Sequence, residues 1–213
     1  MEALIITGGE VPDAAFLLKL SDSADIVIAA DSGLDAARGA GIVPDIIVGD
    51  FDSIRDRESL LVYEKEHIFK YSVEKDATDT EIALAKALER GASRIVLAGG
   101  GGGRLDHLIG LVNLFRRKSS PDVWHTAAES VYRLRAGENS AFAANEGTLV
   151  SVFPILESSS GMYSKGLRWP LEGLVWHPGE FGLSNIATGP GIEIHAGSTD
   201  LLVILPLGTK RLA

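Results

Sequence analysis

The sequence predicts an N-terminal doubly wound α/β domain built on a parallel sheet, followed by a smaller antiparallel β-sandwich. Three observations predict it. Short β-branched runs alternate with helix-length segments through residue 118, whereas the strand-like runs beyond it are separated only by Gly, Pro, Ser and Asn. Composition changes in the same region. Divided after Thr126, the first part holds 14 Lys+Arg against 21 Asp+Glu and 13 of the 14 aspartates; the second holds 6 against 8, and six of the eight prolines lie beyond residue 120. A chain of 213 residues is long enough for two small domains, each with a core. The boundary is expected between 119 and 128, giving domains of residues 1–122 and 123–213.

Composition also narrows the function classes. With no cysteine there is no disulfide scaffold, thiolate metal site, iron–sulfur cluster or cysteine nucleophile. A net charge of −9 opposes non-specific binding to nucleic acid or an anionic membrane, leaving small molecules, cations or a second copy as partners. The longest apolar runs, residues 201–207 and 108–115, are far short of a membrane span. Met1-Glu2-Ala3 lacks a basic leader region and runs straight into a strand pattern, so a cytoplasmic protein is expected.

In chain order, Ala3–Thr7, Asp25–Ala30, Asp45–Val48, His67–Tyr71 and Arg94–Ala98 read as strands of a buried parallel sheet. Helical segments between them give a βαβαβαβαβα order, a Rossmann-like arrangement. The clearest helix covers 79–90: Thr78 and Glu81 form a capping box, Ile82, Leu84, Ala85 and Leu88 are its apolar positions, and Gly91 suits the residue after its end. A second covers 105–118, with Leu105, Leu108, Ile109, Val112 and Phe115 on one stripe and Arg116-Arg117-Lys118 at the negative end of its dipole. In the second part, Val131–Arg135, Thr148–Phe153, Leu174–Trp176, Gly191–His195 and Leu201–Leu205 read as strands.

Ligands of open α/β sheets bind at the carboxyl ends of the strands, and five segments of interest fall there. Thr7-Gly8-Gly9 lets backbone amides approach a ligand, although an ordinary βα turn has the same composition. Asp31, in Ala30-Asp31-Ser32-Gly33, equally suits a cation ligand or a helix N-cap. Gly49-Asp50-Phe51-Asp52-Ser53 sets two carboxylates two residues apart, so at an extended strand end both face one hard cation such as Mg²⁺; the bland alternative has Asp52 or Ser53 capping the next helix. Asp79 has a full structural explanation as a first-turn acid, yet it stands at a fourth such strand end. Finally, the run Gly99–Gly103 feeds Arg104-Leu105-Asp106-His107, where free amides and a guanidinium suit phosphate, and where a flexible turn followed by a first-turn acid reads equally well. Together these segments are equipment for phosphoryl transfer without a P-loop.

These stretches, with Pro44-Asp45, Asp76-Ala77-Thr78-Asp79-Thr80-Glu81, Gly166-Leu167-Arg168-Trp169-Pro170-Leu171 and Ser184-Asn185, resemble in kind and order the motifs of the thiamine pyrophosphokinases. The resemblance implies an ATP-dependent diphosphokinase that moves the terminal pyrophosphoryl group of ATP to the hydroxyethyl oxygen of thiamine and releases AMP. It implies Asp50, Asp52 and Asp79, supported by Asp31, as Mg²⁺ ligands or activating acids, and Arg104 as a stabiliser of the phosphates. By the same resemblance ATP is bound by Thr7, Gly8, Gly9, Asp31, Ser32, Gly33, Gly102, Gly103, Arg104, Asp106 and His107, and thiamine by Asp79, Trp169, Ser184 and Asn185. A homodimer with shared active sites follows from the family, the pyrimidine stacking on Trp169. From the residues alone Trp169 reads as a core or rim aromatic and Asn185 equally as a turn residue. A Mg²⁺-dependent phosphohydrolase would use the same acids with water as nucleophile, and a diphosphokinase of a pterin alcohol shares the reaction class. A sensor would have lost the acids, and an oxidoreductase rests only on the glycine run. His67, His125, His177 and His195 have no metal-ligand spacing and read as structural.

Overall fold

The computed structural model describes residues 1–155 and 158–212, and it divides into two compact units, Met1–Ala127 and Ala128–Ala213. The first unit is a parallel sheet. Its strands are β1 (Glu2–Ile6), β2 (Ile26–Ala30), β3 (Ile46–Gly49), β4 (Ile68–Lys70), β5 (Arg94–Ala98) and β6 (Val123–His125), in the order β6-β5-β1-β2-β3-β4. Strand β6 has only three residues and no strand-length signal of its own; its parallel pairing with β5 keeps residues 123–125 in the first unit. The chain runs outward from β1 to β4 and then returns to β5 on the other side of β1. The strand ends of β1 and β5 therefore flank the switch point, where such sheets leave a crevice.

Four α-helices serve this sheet: α1 (Ala14–Ser23), α2 (Gly33–Gly39), α3 (Asp79–Glu89) and α4 (Leu105–Leu114). Leu4 and Ile6 of β1 pack with Leu17 of α1, Ala37 of α2, Val27 and Val96, while Ala29, Ile47, Leu34, Phe51 and Ile54 form a second cluster. The expected α3 is present with its capping box: Thr78 Oγ1 accepts from the Glu81 N–H and the Glu81 carboxylate accepts from the Thr78 N–H.

Three expectations are corrected. The connection from β3 to β4 holds two 3₁₀ turns, Arg57–Val62 and Lys65–His67, in place of an α-helix. Helix α4 ends at Leu114, so Arg116-Arg117-Lys118 lie beyond its last turn. Its buried residues are Leu111 and Leu114; of the predicted stripe Phe115, just past the helix end, is buried, whereas Leu105, Ile109 and Val112 are exposed by 67, 53 and 44 %. Those three have helical period without being covered, because period identifies an apolar face without identifying what covers it. His125 is buried edge-on to Phe16, and burial holds its pKa down to about 4, in keeping with a structural histidine.

The second unit is all β: β7 (Glu129–Leu134), β8 (Asn139–Phe142), β9 (Leu149–Pro154), β10 (Ser159–Ser160), β11 (Tyr163–Lys165), β12 (Val175–Trp176), β13 (Gly182–Ile186), β14 (Ile192–His195) and β15 (Leu201–Pro206). Strands β13-β9-β15-β7 form one antiparallel sheet, β11-β14-β8 a second, and β10-β12 a short ribbon. Tyr132 of the first sheet meets Phe142 of the second with ring centroids 5.1 Å apart. The only aspartate of this unit ties its strand ends together. Asp200 accepts from Arg133 Nε at 2.7 Å and from the Ala136 N–H at 2.9 Å, with the side chains of Arg133 and Asp200 only 11 and 18 % exposed. Replacing Asp200 by Ala removes this ion pair from a largely buried guanidinium and is expected to lower stability by about 3 kcal/mol in urea melts. A loss below about 1 kcal/mol would mean the pair behaves as a surface contact.

Candidate active site

The first unit contains a cavity of about 750 Å³ at the switch point, lined by the turns after β1, β2 and β5, the start of α3 and one side of α4. Thr7, Gly8, Gly9, Asp31, Ser32, Asp79, Gly102, Gly103, Arg104, Asp106 and His107 all border it. Gly33 does not: it is buried against β1, where a Cβ would stand 2.1 Å from the Ile6 carbonyl oxygen. The glycine run divides in the same way. Gly99 has no room for a side chain, since a Cβ would meet the Thr7 carbonyl oxygen at 2.3 Å, whereas Gly103 has a left-handed φ of 66° and nothing of the protein within 4 Å of a Cβ. Gly103 therefore leaves its main chain open to the cavity immediately before α4.

The carboxylates are gathered by strained backbone. Asp31 takes φ 46° and Phe51 takes φ 66°, the left-handed region that a bulky side chain rarely adopts. Phe51 is held there by burial among Ala29, Leu34, Ile47 and Ile54. The pair Asp50 and Asp52 thus meets by a turn pivoting on a buried phenylalanine, and not by the extended alternation that the sequence suggested. Carboxylate oxygens of Asp31, Asp50 and Asp52 lie within 4.8 Å of one another, and Asp31 Oδ1 is buried with no hydrogen-bond partner. Three hard oxygen ligands, one of them unsatisfied, fit a divalent cation of the Mg²⁺ kind.

Asp79 lies outside this trio and is tied to it through Lys75, which sequence reasoning did not single out. Lys75 Nζ stands 2.9 Å from Asp50 Oδ2 and 3.0 Å from Asp79 Oδ1. The available signal was a lysine four residues ahead of Asp79, immediately before the segment marked for its acids. The hydrogen bond from Lys75, followed by that from the Asp52 N–H, lowers the Asp50 pKa. Asp79 goes the other way, raised chiefly by burial, with Lys75 opposing. Burial alone would lower the Lys75 pKa, but its bonds to Asp50 and Asp79 prevail and raise it. A second overlooked contact joins two walls of the cavity: the hydroxyls of Thr7 and Thr80 are hydrogen-bonded at 2.7 Å and buried.

Arg104 is exposed and carries a two-pronged ion pair with Asp106, Nε to Oδ1 at 3.1 Å and Nη2 to Oδ2 at 2.5 Å. That pairing, chiefly the hydrogen bond from Arg104, brings the Asp106 pKa down to about 2. The guanidinium borders the cavity with one edge on Asp106, and its Nη1 donors are not used by that pair, so an entering phosphate can be met without displacing Asp106.

In the second unit, Gly166-Leu167-Arg168-Trp169 lies along the end of β13. Leu167 bridges to Ala187, and the Arg168 N–H donates to the Ile186 carbonyl at 2.8 Å. Asn185 is buried, with three hydrogen bonds on its amide: Oδ1 accepts from the Trp169 N–H at 3.2 Å and the Ile186 N–H at 2.8 Å, and Nδ2 donates to the Trp169 carbonyl at 2.6 Å. Asn185 is accordingly a holder of residue 169, not a turn residue. Trp169 is 55 % exposed, with the Arg168 guanidinium 5.4 Å from its ring centre. Ser184 sits exposed in a register shift of β13 with φ 55°, its N–H bonded to Ser151 Oγ.

Fold and cleft define an α/β protein whose ligand crevice is bordered by Asp31 of the carboxylate trio and by a glycine turn ahead of a helix. The profile of the thiamin pyrophosphokinase catalytic domain matches residues 17–125, and the chain belongs to that family. It is 28 % identical over 174 residues, 78 % of this chain and 80 % of the relative, to a thiamine pyrophosphokinase of Bacillus subtilis. Among solved structures, thiamin pyrophosphokinase from Geobacillus thermodenitrificans superposes with a TM-score of 0.78 at 26 % identity, covering 97 % of each chain. A thiamine pyrophosphokinase structure from Bacillus subtilis gives 0.81 at 24 % identity, covering 97 % of this chain and 99 % of that one. Among the described residues no helix is long and apolar enough to cross a membrane.

The Lys75 bridge makes a pH-dependent prediction. A carboxylate whose pKa is lowered on folding contributes stability above its ordinary value, 3.8 for Asp50, and loses it as pH falls through the lowered one. Lys75→Met is therefore expected to cost about 2 kcal/mol at neutral pH, narrowing as pH falls below that value. Urea melts at neutral pH and near pH 3 test it; an equal loss at both would assign Lys75 a packing role.

Proposed function

We propose that this chain transfers the pyrophosphoryl group of ATP to the hydroxyethyl oxygen of thiamine, giving thiamine diphosphate and AMP. The observation that carries the reading is the convergence of Asp31, Asp50 and Asp52 around an unsatisfied buried oxygen, beside the open Gly103 turn. Mg²⁺ bound by that trio would supply counter-charge to the polyphosphate. The thiamine hydroxyl oxygen attacks the β-phosphorus, the bond from that phosphorus to the α–β bridging oxygen breaks, and AMP leaves with the oxygen. Asp79 receives the hydroxyl proton. It borders the cavity, stands apart from the trio, and burial raises its pKa, which makes it the better base among these acids. The main chain at Gly103 and the first turn of α4 face the phosphates, with Arg104 joining through the donors that Asp106 does not use. Much of the acceleration is placement of the alcohol in line with the phosphorus.

Thiamine joins a flat aminopyrimidine to a cationic thiazolium through one methylene, and the exposed indole of Trp169 suits the pyrimidine by stacking. The enzyme is proposed to act as a homodimer in which Trp169 of one copy serves the cleft of the other. The exposed Leu105, Ile109 and Val112 stripe on α4 supports self-association. The cytoplasm, where ATP is supplied, is the proposed setting.

Incubation with ATP, Mg²⁺ and thiamine should yield AMP and thiamine diphosphate in equal amounts, and Asp52→Asn should lower turnover by at least about 100-fold with the melting temperature unchanged. Accumulation of ADP or free phosphate in place of AMP would sink the reading. Trp169→Ala should raise the thiamine KM by about tenfold, in line with loss of a stacked ring worth 1–2 kcal/mol. Co-refolding the Asp52→Asn and Trp169→Ala proteins should restore activity, because a mixed dimer has one intact shared site. No restoration would place each site within one subunit.

A further inference from the structure

The main chain around Trp169 is held on both sides of that residue and at the one before it, and none of these bonds reaches the indole. Asn185 takes the Trp169 N–H and carbonyl, and the Arg168 N–H donates to the Ile186 carbonyl. An exposed indole on a fixed main chain can still turn about its side-chain torsions, and a ligand that stacks on a turning ring loses affinity, because binding has to stop the rotation. Something other than the clamp therefore has to orient the ring. Among the described residues no aromatic ring faces Trp169, and the one cation over it is the Arg168 guanidinium, 5.4 Å from the ring centre.

Other cations of the second unit are committed to carboxylates: Lys165 to Glu193, Arg133 to Asp200 and Arg211 to Glu138. The Arg168 guanidinium has no carboxylate partner among the described residues, and its contact is with the indole. A guanidinium is planar and weakly hydrated, so it leaves water for an aromatic face more readily than an ammonium does. We propose that Arg168 is a positioning residue for ring recognition: its guanidinium occupies one face of the Trp169 indole, fixes the rotation of the ring, and leaves the opposite face as the platform for a ligand. The inference rests on reading Trp169 as the thiamine platform and adds what orients it. With a cation already on one face, the other suits the uncharged pyrimidine better than the thiazolium.

Arg168→Ala keeps the main-chain bonds of the segment, so the folded variant tests the side chain alone. Near-UV circular dichroism of the full chain reads the ring, since Trp124 and Trp176 are buried and common to all the variants. The part of the spectrum that disappears in Trp169→Phe should fall by about half or more in Arg168→Ala and return in part in Arg168→Lys. The thiamine KM of Arg168→Ala should rise about threefold, with kcat and the ATP KM within about twofold of wild type. Added to Trp169→Ala, the same change should have no further effect, because the arginine acts only through the ring. A further rise in the double variant would make Arg168 a direct thiamine contact and overturn the inference, as would an unchanged spectrum or an unchanged thiamine KM in Arg168→Ala. An unchanged thiamine KM in Trp169→Ala itself would overturn the platform reading, and this inference with it.

Discussion

Mutual repulsion among aspartates is the constraint around which the strand-end face of the first unit is arranged. Two carboxylates 4.8 Å apart repel by about 3 kcal/mol at an effective dielectric of 20, and Asp31, Asp50 and Asp52 make three such pairs, with Asp79 close behind. Lys75 offsets part of that repulsion from one side, and the buried ring of Phe51 fixes the chain between two of the acids. A site that holds negative charge together at such expense attracts a cation, and the cation then admits an anionic ligand that the net charge of −9 would otherwise repel.

The fold makes this possible by dividing labour between strand interiors and strand ends. Hydrophobic runs in β1, β2, β3 and β5 bury almost completely and lock the sheet. Each then releases the chain into a turn at the carboxyl-end face of the sheet. Glycines with protein atoms pressed against them, Gly33 and Gly99, bring neighbouring turns together, and the Thr7–Thr80 hydroxyl pair closes the seam between the first turn and α3. Acids and open amides converge because the strand order reverses between β1 and β5.

Much of this was legible in the residues. The strand runs of the first unit, the capping box of α3 and the acids at successive strand ends all announce themselves locally, through period, capping chemistry or residue type. What was not legible depended on tertiary context. Leu105, Ile109 and Val112 have the spacing of a core face, yet α4 buries Leu111 and Leu114, since a helix with apolar residues on several sides does not declare which side meets the sheet. Lys75 was invisible for a different reason: its importance lies in standing between Asp50 and Asp79, a relation across 25 residues that no local pattern contains. Strand β6 draws its existence from the edge of β5, and the bulge that exposes Ser184 from a register shift against β9.

The Asn185 clamp separates two properties that loops usually confound. All three of its hydrogen bonds go to main-chain atoms, of residues 169 and 186, and none to the indole. The placement of the loop is consequently indifferent to which side chain it displays. Position 169 behaves as a socket into which another aromatic residue can be exchanged without refolding its surroundings, so the face offered to an aromatic ligand can drift in evolution, or be redesigned, one residue at a time while the scaffold beneath it stays still.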